Sequence, residues 1–344
     1  MAKADQVGGL RGIGAATAVV LTLLALAACS GDADGTRSDA GDADRIRGAD
    51  TLTQVSPLTG EIAENGLPEH SVLSVKVEST TAAQPQVGID RAELVAEELV
   101  EGGLTRLIAF YYSDLPNEVG PVRSMRASDI GITKPVAAVI VASGAARTTE
   151  RRLEQAEIAT ITEAGSARGY WRDDSRIVPH NLMVSPYAIG KTLEQAEPPP
   201  PYLPFGAADD FSGGRSARSV DVAFSSSSTT RWRYDAATGW VRADSLAEPG
   251  HDFVADNVLV LRVRVGDAGY LDPAGNPVPE TIFEGTGRAM LFHGGKVVTG
   301  TWTKDNLAAS IELADKSGEA LTVPAGRTWL ELVPASGGSV EVTD

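Results

Sequence analysis

The sequence predicts an α+β protein in which a layered α/β domain is followed by a mostly β domain, built as a sandwich or barrel. Three observations lead to this prediction. Long apolar runs alternate with helical patterns between residues 56 and 211. A Pro-rich stretch and then a Gly/Ser-rich stretch interrupt that alternation over residues 197–219. Short segments rich in β-branched and aromatic residues, separated by turn residues, then continue to residue 335.

The N-terminus has the pattern of a secretory signal. Lys3 and Arg11 provide a positive start, residues 13–27 form an almost uncharged apolar run, and Leu-Ala-Ala precedes Cys29. The run is short for a membrane span. We predict a lipoprotein signal peptide over residues 1–28 and lipidation, typically with palmitate, at Cys29. A free thiol or an intermolecular disulfide is the alternative for this single cysteine, but neither explains its position after the apolar run.

Residues 29–55 are predicted to form a flexible acidic tether that carries the lipid anchor. Residues 30–50 contain six Asp and three Arg among Gly, Ser and Ala, without an aromatic side chain to bury. The whole chain has a formal net charge of -16. Nucleic acid is therefore not an expected partner, because its binding requires a basic surface.

The predicted N-terminal domain covers residues 56–211. Residues 71–77, 104–113 and 136–144 have the apolar or β-branched composition of strands. A helix is predicted from Asp90 to Gly102, because Asp90 and Glu93 have capping-box spacing and apolar residues recur at helical period. Residues 146–158 predict a second helix. Alternating strands and helices favour a layered α/β sheet.

A linker is predicted at residues 212–218, a β domain at 219–335 and a tail at 336–344. Eight strands are predicted in the β domain, and residues 235–239 and 272–277 are suited to hairpin connections. The β domain also holds most of the tryptophans, at positions 232, 240, 302 and 329. They could form a sugar-stacking platform, but aromatic residues in strands more often belong to the core.

Basic residues cluster at three places in this acidic chain and define a candidate ligand site. They lie in "EGGLTR", "GPVRSMR" and "WRDDSRIVPHN", all at predicted loops or strand edges. If the loops converge on one rim of the sheet, they form an anion site, because guanidinium groups match carboxylate and phosphate oxygens. The candidate ligand-binding residues are Glu101, Arg106, Arg123, Arg126, Arg172, Asp173, Arg176, His180 and Asn181.

The alternative for each arginine is a structural ion pair with an acid such as Glu97, Glu101, Asp129 or Asp173. That interpretation is favoured for any single arginine, since surface pairs are common and weak. The set as a whole favours an anion site. His180 could transfer protons near neutral pH or could simply fix its loop by a hydrogen bond.

The remaining sequence predicts neither a cofactor nor a metal site. The other histidines are scattered without ligand spacing, and Ser143 lacks the Gly-x-Ser-x-Gly pattern of a hydrolase nucleophile. We expect a protein without enzymatic activity. The alternative is an envelope enzyme for phosphoryl or glycosyl transfer or hydrolysis, in which Asp173 or His180 moves protons at the same arginine rim.

Several motifs together resemble a known family. "PQVGIDRAELVAEELVEGGLTRLIAFYYS", "GPVRSMR", "WRDDSRIVPHNL", "WTKDN" and "VPAGRTWLELVP" occur in the order and spacing of the YerB-like bacterial lipoproteins, whose two domains have no known function. The resemblance covers nearly all of residues 56–335; Met125 stands where alanine is more usual. It implies a protein anchored by lipid to the extracytoplasmic face of the cell membrane. A cell-wall polymer or a wall-synthesis protein is the expected partner.

Overall fold

The computed structural model describes residues 54–165, 168–208, 211 and 213–344. The predicted signal peptide, Cys29 and most of the predicted tether lie outside the described residues. The described residues form one compact unit.

Strands dominate the first half of the described chain, with three short helices between them. The strands are β1 Leu73–Glu78, β2 Leu94–Leu99, β3 Thr105–Tyr111, β4 Val139–Ala142, β5 Thr160–Thr162, β6 Tyr170–Arg172 and β7 Leu182–Val184. The helices are α1 Asp129–Thr133, α2 Arg147–Gln155 and α3 Pro186–Gly190. The predicted strands at 71–77, 104–113 and 136–144 and the predicted helix at 146–158 correspond to β1, β3, β4 and α2, so these predictions are confirmed.

The second half of the described chain is almost entirely β. Its strands are β8 Phe205–Gly206, β9 Arg215–Ser216, β10 Ser219–Ala223, β11 Thr229–Asp235, β12 Gly239–Arg242, β13 Asn257–Leu271, β14 Pro277–Ile282, β15 Gly285–His293, β16 Lys296–Lys304, β17 Glu312–Asp315, β18 Val323–Pro324, β19 Thr328–Pro334 and β20 Ser339–Thr343. Hairpins join β11 to β12 and β13 to β14 at the predicted turns.

One mixed sheet of twelve strands runs through both halves of the described chain. Its main path is β17-β16-β15-β13-β19-β2-β3-β1-β4-β5, with β14 paired to β13 and β9 paired to β16. Strand β19 lies parallel to β2 and so joins the two predicted domains. The division of residues 56–335 into two domains stays a prediction, because this sheet takes strands from both segments. The α+β fold class is confirmed.

Apolar side chains cover both faces of the large sheet. On one face, Val95 and Val260 belong to a core that includes Val220 and Trp232 of a second, antiparallel sheet, β12-β11-β10-β20. On the other face, Leu94 joins Ile108, Leu259 and Trp302 in a separate core. Trp232, Trp240, Trp302 and Trp329 are each at most 1% exposed. The tryptophans therefore form the core, as expected, and none forms a surface platform.

The helix predicted from Asp90 to Gly102 is wrong, because this segment contains the central strand β2. Its apolar residues alternate between two buried faces instead of following one helical stripe. Glu97 and Glu98 are only 1% and 0% exposed. Each is accommodated by a tertiary partner, Glu97 by Thr230 and Glu98 by Lys76. Sheet pairing and these buried partners override the local helical pattern.

Candidate functional site

The candidate site begins at Arg106, which lies near the start of β3, between β1 and β2. The register of β1, β3 and β2 places Glu78, Arg106 and Glu98 directly beside one another, so all three side chains share one face. Arg106 is only 7% exposed. Its Nη1 donates a hydrogen bond of 3.3 Å to the Ser124 carbonyl oxygen. Among the described residues, its buried Nε has no hydrogen-bond partner.

The segment "GPVRSMR" crosses the end of β1 and brings two more arginines to Arg106. The Glu78 amide donates to the Pro121 carbonyl at 3.0 Å, and the Arg123 amide donates to the Lys76 carbonyl at 2.9 Å. These backbone bonds bring the Arg123 side chain to Glu78, where Nε and the carboxylate oxygen are 3.7 Å apart. Arg123 Nη1 also donates to the Pro179 carbonyl at 3.3 Å.

Arg126 is held by two acidic residues. Its backbone amide donates to the Asp129 carboxylate at 2.8 Å. Its guanidinium forms a two-point ion pair with Glu101, with Nε 2.8 Å from one carboxylate oxygen and Nη2 in contact with the other. Burial alone would lower the pKa of Arg126, but the hydrogen bond and charge of Glu101 outweigh it and raise that pKa. Arg126 is therefore largely neutralised by Glu101.

Arg172 ends β6 and approaches the same region from the third motif. Its guanidinium forms two hydrogen bonds to Glu163, of 3.0 and 2.7 Å, and donates to Asn181 Oδ1 at 2.8 Å. Asn181 is 3% exposed and therefore fixes the direction of the arginine.

The predicted convergence of the three arginine-bearing motifs is present in the structure. Arg106, Arg123, Arg126 and Arg172 all line one cavity of about 290 Å³, together with Glu101, Ser124, Ser143 and four apolar or proline residues. Four guanidinium groups and one carboxylate give this lining a formal excess of three positive charges, in a chain of net charge -16. We call it the arginine pocket.

Crowding of positive charge is visible in the protonation of Arg106. Burial, together with the positive charges of Arg126 and Arg123, lowers the pKa of Arg106 to about 10, against the opposing effects of Glu101 and Glu78. Glu101 lies 3.9 Å from Arg106, so it counters the charge only partly. A bound anion would offset the repulsion between the guanidinium groups and would be favoured by the buried setting.

The other predicted ligand residues do not line the arginine pocket. Asp173 and Arg176 pair with each other at 2.9 Å, and Arg176 also donates to the Ala83 and Pro85 carbonyls. His180 Nδ1 lies 2.8 Å from both carboxylate oxygens of Glu78. Through these contacts the side chains, like Asn181, hold the loop of residues 173–181 in place. The ion-pair alternative is thus correct for Arg126 and Arg176, with Glu101 and Asp173 as partners.

The sequence missed a buried ion cluster beneath the pocket. Lys76 Nζ lies 2.8 Å from Glu98 and 2.7 Å from Asp129, and all three side chains are 0% exposed. Asp129 was expected to pair with an arginine side chain, but it instead binds Lys76 and the Arg126 amide. A lysine inside an otherwise apolar strand was the available signal, since such a group is buried only with a partner.

A larger cavity, of about 580 Å³, lies elsewhere, between residues 56–68 and 90–93 and beside Arg327. Two of its charged groups, Glu93 and Arg327, are already engaged by neighbouring residues. Glu93 accepts four hydrogen bonds from Ser56, Tyr112 and Ser113, and Arg327 donates to the Asp90 and Ala92 carbonyls. The arginine pocket is smaller but has charge that its neighbours do not fully balance, so we favour it as the functional site.

Among residues 54–165, 168–208, 211 and 213–344, no cluster of three or more His, Cys, Asp or Glu could hold a metal ion. Within the same residues, none of the helices combines the length and apolar character needed to cross a membrane.

Comparison with known proteins identifies the family. Residues 58–199 match the family model "Protein of unknown function (DUF3048) N-terminal domain", and residues 220–330 match its C-terminal domain. Together the two matches cover most of the chain, which therefore belongs to the DUF3048 family. The resemblance noted from the sequence motifs is confirmed.

Individual relatives agree with this assignment. The chain is 26% identical over 298 residues to "Putative lipoprotein YerB" of Bacillus subtilis, covering 81% of this chain and 86% of that protein. The crystal structure of the B. subtilis YerB protein superposes with a TM-score of 0.71 at 24% identity, over 84% of this chain and 99% of the other. At this identity the structural likeness shows a shared fold.

Proposed function

We propose that this protein is a non-catalytic, membrane-anchored module of the cell envelope that binds an anionic group in the arginine pocket. The observation that carries the proposal is the convergence of Arg106, Arg123, Arg126 and Arg172 on one cavity. A carboxylate or phosphate of a cell-wall polymer, or an acidic loop of a wall-synthesis protein, has the matching chemistry.

Two of the four arginines have spare capacity for such a ligand. Arg126 and Arg172 each form a two-point ion pair with a glutamate, so their charges are mostly balanced. Arg106 and Arg123 have weaker contacts: a carboxylate at 3.9 and 3.7 Å respectively, and one long hydrogen bond each to a backbone carbonyl. We assign ligand binding mainly to Arg106 and Arg123. Arg126 and Arg172, which are held by these ion pairs, then line the pocket in fixed positions.

No observation in the described residues favours the enzymatic alternative over this proposal. That alternative needs a proton carrier facing the ligand, and it named Asp173 and His180. Asp173 accepts hydrogen bonds from Ser175 and Arg176, and His180 contacts Glu78, so both are engaged outside the pocket lining.

Lipid attachment at Cys29 is part of the proposal. It is supported by the signal pattern of residues 1–28 and by similarity to a protein whose name describes a lipoprotein. A lipid chain at Cys29, followed by the acidic tether, would hold the folded unit at the extracytoplasmic face of the membrane. Cys29→Ala should leave an unlipidated precursor, which mass spectrometry of the membrane fraction detects. A processed, membrane-retained Cys29→Ala protein would contradict the anchor.

The binding proposal is tested by thermal unfolding with inorganic phosphate, pyrophosphate, acetate and muropeptides. A ligand that binds only the native state raises the unfolding temperature. Arg123→Gln should remove the shift, because it deletes a charge whose structural contacts are weak. The matched control is Arg233→Gln, an exposed arginine paired with Asp221 on the second sheet. Equal shifts in wild type and Arg123→Gln, or no shift with any anion, would contradict the proposal.

A further inference from the structure

The arginine pocket adjoins a second cavity that has a different chemical character. This neighbouring cavity has a volume of about 530 Å³ and shares Ser124, Arg126, Ser143 and Pro273 with the arginine pocket. Because four residues line both cavities, a single molecule could occupy both at once. Ser124 and Ser143, whose hydroxyl oxygens are 3.1 Å apart, lie at the junction.

The residues that line only the second cavity are mostly apolar. One side is the loop 144–146, which contains Gly144, Ala145 and Ala146 before α2 begins. The other side is the tip of the β13–β14 hairpin, with Tyr270, Leu271 and Pro273, together with Val278 of β14. Asp272, the acid in this lining, is engaged by Asn276, whose side chain and backbone both donate to it.

Leu271 is the second observation that points to a ligand. It is 61% exposed at the hairpin tip although it lines a cavity, so its apolar surface is left in water. Burial of this apolar surface against an aliphatic group of a ligand would be favourable. An aliphatic group held in the second cavity would cover Leu271.

We propose that the two cavities form one site for an amphiphilic anion, with its phosphate or carboxylate head in the arginine pocket and an aliphatic group in the cavity of Ala146 and Leu271. This inference rests on the proposed function and adds the class of ligand to it. The head is recognised by Arg106 and Arg123, the serine hydroxyls line the junction, and the apolar walls select for the attached chain. Simple anions and neutral alcohols then bind more weakly than molecules with both parts.

The test compares methyl, ethyl, propyl and butyl phosphate by isothermal titration calorimetry with the full chain. Each methylene that the cavity buries should tighten binding up to about fourfold. Butyl phosphate is therefore expected to bind at least tenfold more tightly than methyl phosphate, and butanol alone should show no binding. The series from acetate to pentanoate identifies the head group, since the gain appears in the series whose head fits the arginine pocket.

Three variants locate the apolar subsite. Ala146→Trp fills the cavity from an exposed position that provides no side-chain cap to α2. It should leave methyl phosphate binding unchanged and remove the gain with chain length. Leu271→Ser should reduce the gain without filling the cavity. Ile177→Ser is the control, because Ile177 is 82% exposed outside both linings and its loss should leave the gain intact.

The outcomes separate the two proposals. If no phosphate or carboxylate binds, the proposed function and this inference both fail. If all alkyl phosphates bind equally tightly, the amphiphile is excluded and the anion pocket stands. A gain with chain length that survives undiminished in Ala146→Trp and Leu271→Ser, or that disappears in Ile177→Ser, would overturn the assignment of the aliphatic group to this cavity.

Discussion

Replacement of Lys76 by methionine tests the buried ion cluster of Lys76, Glu98 and Asp129. Asp129 of this cluster also accepts a hydrogen bond from the backbone amide of Arg126, which lines the arginine pocket. Lys76 Nζ contacts Glu98 and Asp129 at 2.8 and 2.7 Å, and all three side chains are 0% exposed. Lys76→Met keeps most of the side-chain volume but leaves two buried carboxylates without their cation. Removing one partner of a buried ion pair costs about 3–5 kcal/mol. That is a large fraction of the roughly 5–15 kcal/mol that stabilises a typical domain.

The pH dependence of this loss has a defined sign. Burial, opposed by Lys76, raises the pKa of Glu98 to about 7. The folded protein therefore binds a proton on Glu98 more tightly than the unfolded chain, whose carboxyl has a pKa near 4.5. Glu98 thus contributes stability below pH 4.5, and this contribution is lost as the pH rises through about 7. Without Lys76, protonation of Glu98 becomes the remaining way to avoid a buried charge. The loss caused by Lys76→Met should therefore be smaller at pH 5 than at pH 8.

Urea unfolding of the variants at pH 5 and pH 8 measures both effects. Lys296→Met, an exposed lysine in β16, is the matched control and should change the free energy of unfolding by less than about 0.5 kcal/mol. The double variant Lys76→Met/Glu98→Gln should recover part of the stability at pH 8, since it removes one uncompensated charge. A loss below about 1 kcal/mol for Lys76→Met, or no recovery in the double variant, would refute this account of the cluster.

Three further predictions concern a buried acid, the pocket carboxylate and a tight turn. Burial and the neighbouring Glu97 raise the pKa of Glu331 well above 4.5, so its stabilisation is present at low pH and lost as the pH rises. Glu331→Gln should be more stable than wild type at pH 8 and lose that advantage at pH 4, as urea unfolding would show; a constant difference would contradict the buried proton. Glu101→Gln removes the negative charge from the arginine pocket, so phosphate should bind several-fold more tightly by calorimetry while stability falls by about 1–3 kcal/mol; weaker binding would show that Glu101 belongs to the ligand site itself. Gly88→Ala should lower the unfolding free energy by about 2 kcal/mol, since φ is +76° and a Cβ would collide with the Glu118 carbonyl; an unchanged stability would show that the turn adapts.

The parts of the fold that could be predicted from sequence are those whose pattern is set locally. Strands β3 and β4 lie within long apolar runs of the sequence. Helix α2 lies within the segment 146–158, whose charged residues predicted a helix. Strand β2 could not be recognised, because both of its faces are buried and its acids Glu97 and Glu98 contact partners outside the strand, Thr230 and Lys76. The central position of β19 beside β2 depends on an interaction between residues more than 200 positions apart.

The side chains of the candidate site could likewise be predicted only in part. Motif clustering correctly brought Arg106, Arg123, Arg126 and Arg172 together, because loops at one edge of a sheet tend to converge. Proximity in sequence also suggested Arg176 and His180, which do not line the pocket. Their side chains are engaged outside the pocket lining, Arg176 with the Ala83 and Pro85 carbonyls and His180 with Glu78. A sequence motif identifies a set of loops, but the sheet register decides which side chains share a cavity.

The most direct test of the central claim is to locate a bound anion. Crystals of the protein soaked in selenate would show the ion by its anomalous signal, and the same soak of Arg123→Gln is the control. We expect a peak in the arginine pocket, within hydrogen-bond distance of Arg106 and Arg123, that is lost in the variant. No peak in the pocket, or an unchanged peak in Arg123→Gln, would contradict the claim that these arginines bind an anion.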